Sequence, residues 1–139
     1  MSAIRLRSGD PHDIDAVLAL WAGTGAPATP TDDAGALGVL IGHDPGALVL
    51  AVEDEAIAGT VIAAWNGWRG SLYRLAVEPS RRRRGVGTEL VREAERRLLE
   101  RGARRVDALV ATDDAAASAF WRAVGYELQD ARRRFVRNF

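Results

Sequence analysis

The sequence contains no cysteine and no lysine. Without cysteine there is no disulfide framework, no zinc–thiolate site and no thiol nucleophile. Without lysine the phosphate loop G-x-x-x-x-G-K-[ST] is excluded. Histidine occurs only as His12 and His43, which lie far apart, so no metal is expected. No G-x-S-x-G nucleophile elbow occurs. No apolar run approaches the roughly 18 residues of a membrane helix, and the opening "MSAIRLRSGDPHD" lacks the apolar stretch of a secretory signal. The expectation is a soluble, cytoplasmic protein that engages no membrane.

What is present fits one compact domain over residues 1–139: the chain is short, and 47% of it is hydrophobic, enough for one core. All 19 basic residues are arginine, balanced by 19 acids. The balance hides a polarity. Residues 1–68 hold 2 arginines and 9 acids, a net of −7; residues 69–139 hold 17 arginines and 10 acids, a net of +7. A zero total argues against a nucleic-acid partner, because such domains are usually basic throughout. The split suits a polyanion on one side and a cation on the other.

"AIRLR" alternates as a strand. "GDPHDIDAVLALW" opens a helix with Asp10 as N-cap and Pro11 in the first turn, and puts Ile14, Val17, Leu18 and Trp21 on one face. A Gly/Pro/Thr-rich loop, Gly23 to Asp33, leads to a short helix over Asp32–Ile41. "ALVLAV" and "AIAGTVIAAW" read as strands joined by the turn "EDE", and "SLYRLAV" follows the turn "NGWRG". A helix starts near Val86 and is strongest over Thr88–Glu100, with Leu90, Val91, Ala94, Leu98 and Leu99 inward. "RVDALV" is a strand, Asp114–Val124 a helix, and "YEL" and "RRFVRNF" read as short closing strands. The order β-α-α-β-β-β-α-β-α-β(-β) predicts an α/β fold: a mixed, mainly antiparallel sheet flanked by helices on both faces, not a doubly wound one.

The densest signal is "RRRRGVGTEL", Arg81 to Leu90. Glycines at a helix entrance let successive backbone N–H groups converge at the positive end of the helix dipole, where a phosphate binds. Arginines upstream add charge and forked donors. The dinucleotide fingerprint G-x-G-x-x-G fails at its third glycine, which is Leu90. The pattern [QR]-x-x-G-x-[GA] is met by Arg82-Arg83-Arg84-Gly85-Val86-Gly87. A solvated surface run, or a basic patch for nucleic acid, are the competing readings of the same residues.

The longer string "LYRLAVEPSRRRRGVGTELV" resembles the signature motif of the GNAT superfamily of acyl-CoA N-acyltransferases, and "AAASAFWRAVGYEL" resembles that family's C-terminal element. The likeness covers nearly the whole chain. It implies acetyl-CoA as acyl donor, a primary amine acceptor on a small molecule or peptide, direct transfer in a ternary complex, and no metal; dimers are common in the family. It implies a bulged strand whose main chain at Leu75, Ala76 and Val77 pairs with pantetheine, and a cradle for the pyrophosphate over Arg82, Arg83, Arg84, Gly85, Val86, Gly87 and Thr88. It makes the Leu75 N–H the oxyanion donor. Asp114, Phe120 and Trp121 fall on the C-terminal element's cofactor-facing positions.

Departures from the pattern are specific. The family's tyrosine, often a general acid, is Trp121, whose indole supplies no proton. Its asparagine is Asp114, which suits an N-cap equally well. Ser71 and Leu109 stand where other members carry a glutamate. Tyr73 remains as a titratable candidate beside water-mediated deprotonation. The acidic first half, with Asp32 and Asp33, favours a cationic amine acceptor. A domain that binds acyl-CoA without turning it over is the alternative.

Overall fold

The computed structural model describes residues 3–110 and 113–139. Five strands form one sheet in the order β1-β2-β3-β4-β5: Arg5–Ser8, Leu48–Glu53, Ala56–Trp65, Gly70–Val77 and Val106–Ala108. The first four pair antiparallel; β5 pairs parallel to β4 over three residues. Four helices accompany them: α1 Ile14–Gly23, α2 Ala34–His43, α3 Val86–Glu100 and α4 Ala115–Ala123. Residues 1–108 form one compact unit and residues 109–139 a second. Among the described residues no helix is long and apolar enough to cross a membrane.

Local chemistry sets the boundaries. Asp10 and Asp13 make a reciprocal capping box around the turn Pro11–Asp13 that leads into α1. The Asp33 carboxylate caps α2 through the Ala36 N–H at 2.8 Å. Between β2 and β3, Asp54 and Glu55 both take left-handed backbone, the two-residue turn that matches strand twist.

β2 is buried on both faces, which its unbroken apolar run anticipates. Leu48, Leu50 and Val52 meet Val17 and Trp21 of α1 and Leu37 and Ile41 of α2 in one core cluster. α3 packs on β3 and β4 through its own buried row, Val86, Leu90, Val91, Ala94 and Leu98. Gly59 of β3 permits that approach. A Cβ there would lie 2.8 Å from the Ala76 carbonyl oxygen and 2.9 Å from a Leu90 methyl.

α3 begins at Val86, as expected, because Val86 is buried and anchors the first turn. Two expectations are corrected. Leu99 is 61% exposed; it sits one step past the inward row that ends at Leu98. The closing segments Tyr126–Leu128 and Arg133–Phe139 form no strand. Four arginines among residues 131–139, and Phe135 and Phe139 left open to solvent, do not make a strand face that buries itself.

Candidate active site

The site is built on the second half of β4. Thr60 pairs with Ala76 and Ile62 with Tyr73, so Arg74 and Leu75 together oppose Val61. The extra residue is a β-bulge, and it bends the strand. Arg74 takes φ +52°, which costs an L-residue roughly 1–2 kcal/mol. Its surroundings hold it there. The Trp21 Nε1–H donates to Thr60 Oγ1 at 2.8 Å, and the Thr60 hydroxyl donates to the Arg74 carbonyl at 2.9 Å. Thr60 is fully buried, so this relay satisfies its hydroxyl inside the core. The Arg74 guanidinium lies 5.1 Å from the Trp21 ring centroid, and its Nε donates to Asp32 Oδ1 at 2.9 Å. A second Arg74 N–H donates to the other Asp32 oxygen, and the same group reaches the Pro27 carbonyl at 3.3 Å. The loop between α1 and α2 is thus tied to the bulge. Burial raises the pKa of Asp32, but hydrogen bonds from Arg74 and Thr29 outweigh it and leave the carboxyl below its ordinary value.

Beyond the bulge β4 has an open edge. Its ladder to β5 covers Gly70, Ser71 and Leu72 only; among the described residues no strand pairs with Leu75, Ala76 or Val77 on that side. An edge of this kind offers backbone N–H and C=O groups to an extended ligand.

Glu78, the turn Pro79–Arg81 and the arginines Arg82–Arg84 then lead into α3. Gly85 is the N-cap at φ +81°, with no side-chain cap over the helix. The N–H groups of Val86, Gly87 and Thr88 lie too early in the helix to find a helical carbonyl. A Cβ on Gly85 would meet nothing within 4 Å, so the space before these donors is open.

The four arginines fall into three situations. Arg81 Nε donates to Glu53 Oε1 at 2.9 Å; Arg84 donates to both Glu53 oxygens, at 3.2 and 2.6 Å. Glu53 ends β2, 7% exposed beneath these two guanidiniums. Hydrogen bonds from Arg84 and then Arg81 lower its pKa to about 2, against the effect of burial. Arg82 folds back to donate to the Val77 carbonyl at 3.2 Å. Arg83 is exposed, sits at φ +64°, and makes no hydrogen bond or ion pair among the described residues. Arg84, expected in the cradle, therefore serves Glu53 with its side chain.

Tyr73 is 44% exposed, on the strand face opposite buried Leu72. Asp33 is the α2 cap and Asp32 is bound to Arg74, so neither acid is free to meet an acceptor cation without giving up a partner. In the second unit Asp114 is the N-cap of α4, accepting from the Ala117 N–H at 2.9 Å. Trp121 packs edge-on against Phe120 and Tyr126, with ring centroids 5.4 and 4.9 Å apart.

Sequence reasoning missed Glu53, Thr60 and the pairing of Arg74 with Asp32. Glu53 carried a usable signal. It is the one acid adjoining the apolar run of β2, and a two-residue turn over Asp54-Glu55 returns it to the strand. Thr60 carried none, because threonine is at home in any strand.

A bulged, half-open strand that feeds a glycine-capped helix sits within a mixed five-stranded α/β fold. The chain belongs to the acetyltransferase (GNAT) family, whose family model matches residues 16–126. It is 34% identical over 90 residues to an acetyltransferase of Yersinia enterocolitica, a match that covers 65% of this chain and 64% of that protein's length. An acetyltransferase of Pectobacterium atrosepticum is 30% identical over 118 residues, covering 85% and 84%. Among solved structures, Ard1 from Thermoplasma volcanium superposes with a TM-score of 0.82 at 20% identity, over 91% of this chain and 84% of that one. The aminoglycoside N-acetyltransferase AAC(6′)-Iy, in complex with a CoA bisubstrate analog, superposes with a TM-score of 0.79 at 23% identity, over 99% of each.

Proposed function

We propose that this chain is an acetyl-CoA-dependent N-acetyltransferase acting on a primary amine by direct transfer. The observation that carries the reading is the open edge of β4 at Leu75–Val77, continuous in sequence with the uncapped entrance of α3. The family model runs through both units, which supports treating residues 1–139 as one catalytic domain.

When bound, acetyl-CoA supplies the acyl group as an activated thioester. Main-chain groups of Leu75, Ala76 and Val77 hold its amide-bearing arm as an added strand. The N–H groups of Val86, Gly87 and Thr88 take the pyrophosphate, with Gly85 leaving room and the helix dipole favouring its charge. Arg83 is the side chain left to reach a phosphate, and Arg82 braces the strand end behind it. Leu75 N–H, aimed by the bulge, donates to the carbonyl oxygen as the amine attacks and negative charge develops there. Tyr73, or water, takes the amine's proton, and the thioester C–S bond breaks as the thiolate of CoA leaves. With Asp32 and Asp33 engaged, a preference for cationic amines rests on the remaining acids of residues 1–68.

Calorimetric titration of acetyl-CoA, compared with 3′-dephospho-CoA and with a Gly85→Glu variant, tests this. Glutamate would place a carboxylate against the phosphates and strain a backbone at φ +81°. Affinity should fall by about 100-fold or more, equivalent to roughly 3 kcal/mol. Undiminished binding in a folded variant would remove the cradle from the reading. One observation favours a second function. Trp121 stands where the family pattern has tyrosine, so a domain that senses acyl-CoA without turnover fits as well; steady-state release of free CoA with a panel of amines separates the two.

A further inference from the structure

The turn Asn66–Arg69 and the loop Arg101–Arg105 lie at the other end of β4, away from the arginine cradle. Eight residues of strand, at about 3.3 Å each, separate Gly70 from Val77 by roughly 20–25 Å. A concave region of about 560 Å³ opens there, within the size range of small-molecule sites. Its lining includes Trp65, Trp68, Arg69, Arg101, Arg104 and Arg105, and no acid.

The side chains are presented by a rigid turn. Asn66 Oδ1 accepts from the Trp68 N–H at 2.9 Å and from the Arg69 N–H at 2.7 Å. These bonds fix the turn through Asn66 alone and ask nothing of the indole or the guanidinium. Yet Trp68 is 68% exposed, with the Arg69 guanidinium 3.8 Å over its ring centroid. A stacked guanidinium keeps its in-plane N–H donors free, and the other indole face stays open. Arg101 is held by Asp44 at 2.7 Å. Arg104 is exposed and makes no ion pair among the described residues. Flat aromatic surface beside forked cationic donors in one concavity is the chemistry that receives a planar ring carrying a phosphate.

We propose that this concavity is a second ligand site, binding a nucleotide-type anion with its ring on the open face of Trp68 and its phosphate at Arg69 and Arg104. The inference is independent of the acyltransferase reading, because it uses no residue of β4 beyond Gly70 and none of the arginine loop.

The test follows the indole N–H signals of the full chain by NMR, assigning Trp68 with Trp68→Phe. Adenosine monophosphate is titrated into the wild type and into Gly85→Glu, which impairs the arginine cradle, so that a Trp68 shift kept in the variant is assigned outside the cradle. A saturable shift of the Trp68 signal at micromolar to low millimolar nucleotide is expected. Arg104→Ala should weaken it about fivefold or more, and calorimetric titration of the nucleotide into Trp68→Ala should show binding weaker by at least about tenfold, neither variant changing the thermal midpoint. An oligonucleotide arm separates the sources. Tighter binding of a strand than of the monomer assigns the ligand to single-stranded nucleic acid, and equal binding to the free nucleotide; both uphold the site. Inorganic phosphate matching the nucleotide, an acidic peptide shifting Trp68 where the nucleotide does not, or no saturable shift would each overturn it.

Discussion

Arg74 and Arg83 share a backbone conformation and little else. Both hold positive φ, +52° and +64°, where an L-residue costs roughly 1–2 kcal/mol. Arg74 is surrounded by compensation: its carbonyl is bonded by Thr60, its guanidinium lies beside Trp21 and is paired with Asp32. Arg83 has none among the described residues. The chain stabilises the strained residue that shapes the strand, and leaves uncompensated the exposed one in the arginine loop. Strain with internal partners marks a scaffold; strain without them marks a place where a ligand supplies the partner.

The largest effect expected on the scaffold side is from Arg74→Ala. It leaves the Asp32 carboxylate half-buried without its cation and keeps the left-handed strain, so unfolding free energy should fall by about 3 kcal/mol. Arg74→Gly, which relieves the strain, should recover roughly 1 kcal/mol of that. Denaturant titration of both variants checks the order; equal losses would mean that the backbone conformation is not costly. Thr60→Val comes next. It keeps shape but orphans the Trp21 N–H and the Arg74 carbonyl, at about 2 kcal/mol, whereas Thr60→Ser should lose less than half as much. A near-neutral Thr60→Val would show that the relay does not hold the bulge.

The elements were legible wherever a local pattern dictated them. Strand β3 occupies the span of its apolar run, and Asp10 and Asp114 sit where capping chemistry places them, whereas the second helix, expected over Asp32–Ile41, runs over Ala34–His43 with Asp33 as its cap. The bulge and the cradle were legible only through resemblance, because neither has a composition of its own. What lay beyond reading were partnerships across the fold. Arg74 meets Asp32 over 42 positions and Arg84 meets Glu53 over 31. A run of four identical arginines gives no hint that two of them face an acid from another strand. The closing strands were misread because β-branched and aromatic residues near the C-terminus imitate a strand without supplying a buried face.

Glu53 offers a test on the pH axis. Its carboxyl titrates at about 2 in the folded chain, below an ordinary value near 4.5. A lowered folded pKa stabilises above the unfolded value and loses that contribution as pH falls through the folded one. The wild type should therefore lose stability between about pH 4.5 and 2, and Glu53→Gln should show a shallower loss over that window. At neutral pH the variant should bind acetyl-CoA a few-fold more weakly, since Arg81 and Arg84 no longer hold the loop. Parallel acid curves for the two proteins would assign the acid sensitivity to other pairs, of which Glu93 with Arg96 and Arg97 is the next candidate.

Arg83→Gly carries the smallest effect on the fold and the sharpest contrast. Glycine accepts φ +64° without penalty but adds freedom to the unfolded chain, so the two terms nearly cancel and stability should change by less than about 1 kcal/mol. Affinity for acetyl-CoA should nevertheless fall by roughly 3- to 10-fold, the worth of one charge-assisted phosphate contact. The loss should be smaller for 3′-dephospho-CoA if Arg83 reaches the 3′-phosphate, and equal if it reaches the pyrophosphate. Arg74→Gly supplies the opposite pattern, a stability loss that appears with no ligand present. If Arg83→Gly instead destabilised the free protein and left affinity intact, both left-handed arginines would belong to the scaffold, and the distinction between them would fail.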